Sequence, residues 1–203
     1  FNLPVGDLLT GGPGLAAMPG REAEFAAAID QALPYAEALG PCNVNVLAGW
    51  PPAEIERDRC FETLAGNLNC AAEAFEPLAV RVLTEAVNSR DRPGYFLTTS
   101  AQALAAIKAA GHRNLGLEHD LYHMQIMEGD LIAGLAKHMP RIGHIQFADN
   151  PGRHQPGTGE MNFPALFAAI DASDYDGFTG AEYDPLGSSE ASLDWLGPYR
   201  DRI

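Results

Sequence analysis

Four oxygen-bearing side chains occur near the carboxyl ends of predicted strands: Glu85, Asp120, Gln146 and Glu182. A buried carboxylate without a partner is costly, so it is rare within a sheet unless it is paired or bound to a metal. Any one of the four could instead be a helix N-cap or a salt-bridged residue at the rim. Together, three carboxylates and an amide oxygen predict a site for a hard divalent cation, Mg²⁺ or Mn²⁺ rather than Zn²⁺.

Histidines accompany two of these residues. His123 follows Asp120 by three residues, a spacing that can bring both side chains into one pocket, although a capping or core histidine would show the same spacing. His144 precedes Gln146 by two residues on one predicted strand, so the two side chains face the same side. Two other histidines lie at predicted helix ends and are expected at the surface, and these are His112 and His138.

A loop rich in glycine and proline, 151–160, follows the strand that carries Gln146. Such a loop is by default a solvated turn. It carries Arg153, whose planar guanidinium could hold a substrate carboxylate through two parallel hydrogen bonds. Arg153 is therefore a candidate for substrate binding.

The elements that must position these residues alternate between strand and helix. Strands are predicted at 43–47, 81–87, 115–120, 142–148 and 178–183. Helices are predicted at 21–39, 58–78, 99–111 and 130–139. Two more are predicted to begin at Asn162 and at Ser188 or Ser189. Pro34 is expected to kink or shorten the first helix. Such alternation favours parallel strands in a doubly wound sheet or a (β/α)8 barrel. No GxGxxG turn follows an early strand, which disfavours a doubly wound nucleotide binder.

Composition narrows the class of protein. The chain has 203 residues, is 46% hydrophobic and has a formal net charge of -14, which indicates one globular domain over 1–203 and excludes a disordered tail. The negative charge argues against binding to nucleic acid or to anionic membranes. There is no apolar run of membrane-spanning length and no signal peptide pattern. The chain has three cysteines, Cys42, Cys60 and Cys70. This odd number predicts buried, reduced thiols and a cytoplasmic location.

Motifs along the whole chain resemble the hydroxypyruvate isomerase family of xylose-isomerase-like barrels. The segments that carry the resemblance are FNLP at 1–4, MPGR at 18–21, RDRPGYF at 90–96, DLYHMQIMEGD at 120–130, GHIQ at 143–146, PGR at 151–153, PGTGE at 156–160 and EY at 182–183. One departure is visible, since proline is expected after Glu85 and the chain has Ala86. That change could alter the local backbone but leaves the carboxylate in place.

The resemblance implies an α/β fold, the (β/α)8 TIM barrel of the xylose-isomerase-like type. It also implies a divalent metal, Mg²⁺ or Mn²⁺, and no organic cofactor. The implied roles are metal ligation by Glu85, Asp120, Gln146 and Glu182, acid–base catalysis by Glu85 and Glu182, and substrate contacts by His123 and Arg153. The implied reaction interconverts hydroxypyruvate and 2-hydroxy-3-oxopropanoate through an ene-diolate. The expected partner is this small oxo acid, and barrels of this group often form homo-oligomers.

The segment 1–4 reads as the end of a strand, and the resemblance aligns it with the end of the third barrel strand. Barrels of this type have about 250 residues. We therefore expect that two strands and most of a third, absent from this sequence, precede it in the complete protein.

Alternatives remain open at this point. A 2-oxo-tetronate isomerase or a ketose 3-epimerase could use the same site, although an epimerase more often has histidine at the position of Gln146. A DNA-repair endonuclease would need more histidine ligands and a basic rim. A non-catalytic sugar-acid sensor would not need both glutamates.

Overall fold

The computed structural model describes residues 1–4, 6 and 12–202, without the side chains of 200–202. Its centre is a parallel sheet of five strands in the order β1-β2-β3-β4-β5. The strands are Asn43–Val46 (β1), Arg81–Glu85 (β2), Leu115–Asp120 (β3), Ile142–Phe147 (β4) and Thr179–Ala181 (β5). A doubly wound sheet reverses its strand order at a switch point, whereas here each strand pairs with the next in sequence. The order is that of a barrel wall.

Helices connect the strands and cover one face of the sheet. They are Glu22–Leu39 (α1), Arg57–Phe75 (α2), Ser100–Ala110 (α3), Leu121–Met127 (α4), Leu131–His138 (α5) and Phe163–Asp171 (α6), with 3₁₀ turns at Glu76–Leu78, Met139–Arg141 and Ala191–Arg202. Helix α3 begins and ends where the sequence predicts. The Thr99 side chain accepts the Gln102 N–H at its start, and Gly111 adopts the left-handed conformation, φ 71°, at its end. Buried apolar side chains of α2 and α3 pack on this sheet face, including Leu64, Leu68, Phe75 and Ile107.

The last strand is shorter than the predicted 178–183, since β5 ends at Ala181 and Glu182 follows it. Three details of the helices also differ from the prediction. Helix α1 continues through Pro34 to Leu39 and is not shortened. A short helix, α4, begins directly after β3, because the Asp120 carboxylate accepts the backbone N–H of Tyr122 at 2.7 Å and of His123 at 3.3 Å. The last helix is a 3₁₀ helix, and of the two serines it is Ser188 that accepts the backbone N–H at its start.

The first residues lie beside β1 as a strand end, as predicted. The backbone N–H of Leu3 donates to Asn45 at 2.8 Å, and the N–H of Asn45 donates to Phe1 at 2.9 Å. Asn2 and Asn45 form a parallel bridge.

The observed burial differs from the prediction for two of the cysteines and for one histidine. Of the three free cysteines, Cys60 is buried, whereas Cys42 and Cys70 are exposed, since their helix or loop positions face away from the core. His138 is buried in the last turn of α5 rather than at the surface, and its ring lies 6.1 Å from that of His119. Among the described residues, no helix is both long and apolar enough to cross a membrane.

Candidate active site

Glu85 ends β2 on the face of the sheet that is not covered by helices. Its side chain is 6% exposed, and its Oε2 accepts a hydrogen bond from Asn45 Nδ2 on β1 at 3.2 Å. Burial raises the pKa of Glu85 well above its usual range, and the nearby Glu118, Asp120 and Glu182 add to the rise. The carboxyl group is therefore disposed to hold a proton when no cation is nearby.

Asp120 ends β3, where its carboxylate both caps the next helix and faces Glu85 and His123. It is 1% exposed, it caps α4, and its Oδ2 lies 3.7 Å from Nε2 of His123. Burial raises the pKa of Asp120, while Arg153 and the two backbone N–H donors oppose the rise. The carboxylate thus faces the same space as Glu85.

His123 completes a close group with these two carboxyl groups. Its Nε2 lies 3.7 Å from Glu85 Oε1 as well as from Asp120. The three residues offer ligand atoms that all lie within 4.8 Å of one another, and all three are buried. Burial lowers the pKa of His123 to about 4, with Arg153 adding to the shift, so the ring is neutral near pH 7. The group could hold a metal ion.

Gln146 lies on β4 directly beside Asp120 in the strand register. Its Oε1 is buried and has no hydrogen-bond partner among the described residues. His144 lies two residues earlier on the same side, since a Cβ added at Gly180 would meet the side chains of both His144 and Gln146. An unpaired buried oxygen is rare, and here it lies next to an acidic ligand candidate.

Glu182 directly follows β5, and its side chain is half-exposed. It forms an ion pair with Arg153, whose guanidinium also lies 5.6 Å from the centre of the Tyr122 ring. Glu182 is thus at the same edge as the other residues but turned toward Arg153. The structure brings Glu85, Asp120 and His123 together, sets Gln146 beside Asp120, and pairs Glu182 with Arg153.

The loop that carries Arg153 is held by Asp149, which is fully buried at the end of β4. Its carboxylate accepts four backbone N–H groups, those of Asn150, Gly157, Gly159 and Met161, at 2.8–3.1 Å. Arg153 itself has a positive φ of 58°. The hydrogen bonds of Asp149 therefore order the backbone of the loop, although most of its residues are exposed to solvent.

Comparison with known proteins identifies the family. Residues 1–199 match the family described as xylose isomerase-like TIM barrel. The chain belongs to this family. Barrel enzymes carry their active sites at the carboxyl ends of the strands, which is where these acidic side chains lie.

Curated relatives agree with the predicted class of enzyme. The chain is 46% identical over 202 residues to a 2-oxo-tetronate isomerase of Cupriavidus necator, covering all of this chain and 78% of the relative. It is 44% identical over 199 residues to a hydroxypyruvate isomerase of Escherichia coli, covering 98% and 77%. The predictions of the family and of an isomerase are confirmed.

Solved structures support the fold. A crystal structure named AP endonuclease, family 2, from Brucella melitensis superposes with a TM-score of 0.94 at 39% identity, covering 98% of this chain and 77% of that one. A 3-keto-D-glucoside 4-epimerase from Escherichia coli gives 0.76 at 25% identity, covering 87% and 71%. The predicted barrel class is confirmed, and the five parallel strands form part of its wall.

The residues present fit a divalent cation. Among the described residues, Glu85, Asp120 and His123 offer ligand atoms close to one another, and the unpaired Gln146 oxygen lies on the strand position beside Asp120, whereas Glu182 is paired with Arg153. Oxygen donors with excess negative charge suit a hard cation, which would offset the repulsion.

Sequence reasoning missed several residues that shape the site. Asn45 holds Glu85, and Glu118 lies beside it across the strand pair, where burial raises the pKa of Glu118 to about 8. The sequence signal for both was a polar residue at an inward position of a buried strand. Asn88 and Asp91 lie in the loop after β2, where polar residues are ordinary and give no such signal.

A cavity of about 460 Å³ opens onto this face of the sheet, and its lining includes Asn45, Glu118, His144 and Gln146. A larger cavity of about 970 Å³ lies at the opposite ends of the strands, beside Arg81 and Tyr175. The larger one contains none of the candidate site residues, so size alone does not identify the site.

Proposed function

We propose that this chain interconverts hydroxypyruvate and 2-hydroxy-3-oxopropanoate by moving a proton between adjacent carbons through an ene-diolate. The observation that carries the proposal is the close group of Glu85, Asp120 and His123, whose side chains approach within 4.8 Å of one another where β2 and β3 end. The identity to a hydroxypyruvate isomerase supports the substrate.

The residues proposed to hold the metal are Glu85, Asp120, Gln146 and Glu182. Mg²⁺ suits these oxygen donors best, and Mn²⁺ is the second choice. A bound divalent cation supplies stabilisation of the negative charge that develops on two neighbouring substrate oxygens. No organic cofactor is required for this proton shift.

Glu85 and Glu182 are the proposed acid–base pair. Glu85 ends β2 and Glu182 follows β5, so the two carboxyl groups approach a substrate from different sides of the site. One carboxylate removes a proton from the carbon that bears the hydroxyl group, and the other carboxyl group delivers one to the neighbouring carbon. The hydroxyl proton passes from the first oxygen to the second, so that the hydroxyl and carbonyl groups exchange places. The direction of the reaction decides which of the two acts first.

Arg153 and His123 are the proposed substrate contacts. The guanidinium has five N–H donors, so Arg153 can keep its pair with Glu182 while it holds the substrate carboxylate. The buried, neutral His123 faces the same space and can contact a substrate oxygen.

A 2-oxo-tetronate is the second candidate substrate, and the 46% identical relative favours it. It offers the same carboxylate, oxo and hydroxyl groups on a chain longer by one carbon. An endonuclease function, suggested by the name of one similar structure, is disfavoured by the net charge of -14. The cytoplasmic location and a homo-oligomer stay predictions.

The test measures turnover of hydroxypyruvate, 2-oxo-tetronates and free ketoses with Mg²⁺ by the full chain. Glu85→Gln and Glu182→Gln are each expected to reduce isomerisation by at least 100-fold while the protein stays folded. Glu73→Gln, at an exposed position on α2, is the matched control and should retain full activity. Near-normal turnover by both site variants would disprove the acid–base assignment.

A further inference from the structure

Asn88 is fully buried in the loop after β2, and its amide orientation is fixed by Asp91. Its Oδ1 accepts the backbone N–H of Asp91 at 2.8 Å, and its Nδ2 donates to Asp91 Oδ2 at 3.0 Å. A backbone N–H must meet an acceptor and a carboxylate must meet a donor. Turning the amide over would break both contacts, so Nδ2 is a donor to whatever else it touches.

The other atom in contact with Nδ2 is Nδ1 of His123, at 2.7 Å. Since Asn88 presents only hydrogen there, Nδ1 must accept and cannot itself carry a proton. A doubly protonated ring would set N–H against N–H at this distance. The proton of the ring is therefore on Nε2, the atom that lies 3.7 Å from the carboxylates of both Glu85 and Asp120.

We propose that Asn88 is a positioning residue that holds His123 as the Nε2–H tautomer, so that His123 donates a hydrogen bond into the site and is not a metal ligand. An imidazole nitrogen ligates through a free lone pair, and the nitrogen nearest to Glu85 and Asp120 has none in this tautomer.

A consequence, which rests on the proposed function, is selection of the metal. With His123 available as a ligand, the group would combine a nitrogen with carboxylate oxygens, a set that suits Zn²⁺. With His123 held as a donor, only oxygens remain for the cation. Asn88 thereby favours Mg²⁺ or Mn²⁺ over Zn²⁺ and keeps an N–H free for a substrate oxygen.

A second contact secures the arrangement from α4. The hydroxyl of Tyr122, the residue before His123, donates to Asp91 Oδ2 at 2.6 Å. Asp91 thus receives donors from both Asn88 and Tyr122 and remains an acceptor, which is what fixes the Asn88 amide. The hydrogen bonds from these two residues hold the pKa of Asp91 low against the opposing effect of burial.

The direct test is nuclear magnetic resonance of the full chain labelled with ¹⁵N at histidine. A two-bond ¹H–¹⁵N correlation spectrum reports which ring nitrogen carries the proton, and His123→Asn assigns the signals. We expect a protonated Nε2 and an unprotonated Nδ1, both with chelator and with Mg²⁺. A protonated Nδ1 would overturn the proposal, whatever the activity of the enzyme.

Asn88→Asp tests the consequence for the metal. The new carboxylate would accept from Nδ1–H, which reverses the tautomer and turns the Nε2 lone pair toward Glu85 and Asp120. The ratio of Zn²⁺ to Mg²⁺ affinity, measured by competition calorimetry, should rise on the order of tenfold or more. Taking the ratio removes the general effect of the added negative charge.

Asn67→Ala is the matched control, since Asn67 is a buried asparagine on α2 whose Nδ2 donates to the Ala16 carbonyl away from the site. It should change neither the tautomer nor the ratio. An unchanged tautomer together with an unchanged ratio in Asn88→Asp would refute the role of Asn88. Asn88→Ala, which should yield a mixture of tautomers, provides a second variant if Asn88→Asp does not fold.

Discussion

Replacing Asp120 with asparagine separates the two tasks of this residue. Asparagine keeps the oxygen that accepts the N–H groups at the start of α4 but loses the negative charge. We expect the free energy of unfolding of the metal-free protein to rise, because a buried like-charge repulsion is removed. We also expect Mg²⁺ to bind more weakly and activity to fall.

The magnitude follows from the distances. The ligand atoms of Glu85 and Asp120 lie no more than 4.8 Å apart. Two full charges at that separation repel by about 3.5 kcal/mol at an effective dielectric constant of about 20. Burial favours protonation of Glu85, which already relieves part of this, so we expect a gain of about 1–2 kcal/mol. Asp120→Ala should be about 1 kcal/mol less stable than Asp120→Asn, because it also loses the cap.

The measurement is urea denaturation at pH 7.5 with EDTA and with Mg²⁺. Wild-type protein should gain stability from Mg²⁺ in proportion to the logarithm of its concentration, and Asp120→Asn should gain far less. If metal-free Asp120→Asn is less stable than wild type, the repulsion reasoning is wrong. If Mg²⁺ stabilises both proteins equally, Asp120 is not a ligand.

Two further predictions concern pH and the loop. Because burial first, and then Asp120 and Glu182, raise the pKa of Glu118 from 4.5 to about 8, its contribution to stability is lost as pH rises toward and through 8. Metal-free protein should therefore lose stability between pH 4.5 and about 8, with little further loss from this group at higher pH. Glu118→Gln should flatten this slope, and an equal slope in both proteins would contradict the assignment. Asp149→Asn should destabilise the protein by about 1–3 kcal/mol, because an amide NH₂ replaces an acceptor of backbone N–H groups. Since the same loop carries Arg153, the KM should rise more than kcat falls, and an unchanged KM would separate the loop from substrate binding.

The sequence by itself predicted the alternation of strands and helices, and it picked out polar residues at strand ends. Parallel strands are buried on both faces, so a carboxylate such as Glu85 within an apolar run is visible without coordinates. The capping pattern at Thr99 and the glycine at Gly111 were visible in the same way, because such signals depend on neighbours in sequence.

Helix α4 was missed although an N-cap was one of the two roles that the sequence left open for Asp120. Asp120 ends one element and caps the next, so no turn separates β3 from α4. The segment 121–127 is too short for its pattern of apolar and polar residues to indicate a helix. It is this immediate turn into a helix that sets His123 beside Asp120.

Residue types at strand ends could therefore be read from the sequence, but the contacts between distant segments could not. Only the tertiary structure decided that Asn45 holds Glu85, that Arg153 pairs with Glu182, and that Asn88 meets His123. The physical reason is that these hydrogen bonds and ion pairs join segments 29–40 residues apart, and the parallel pairing of neighbouring strands, rather than any local propensity, brings them within reach.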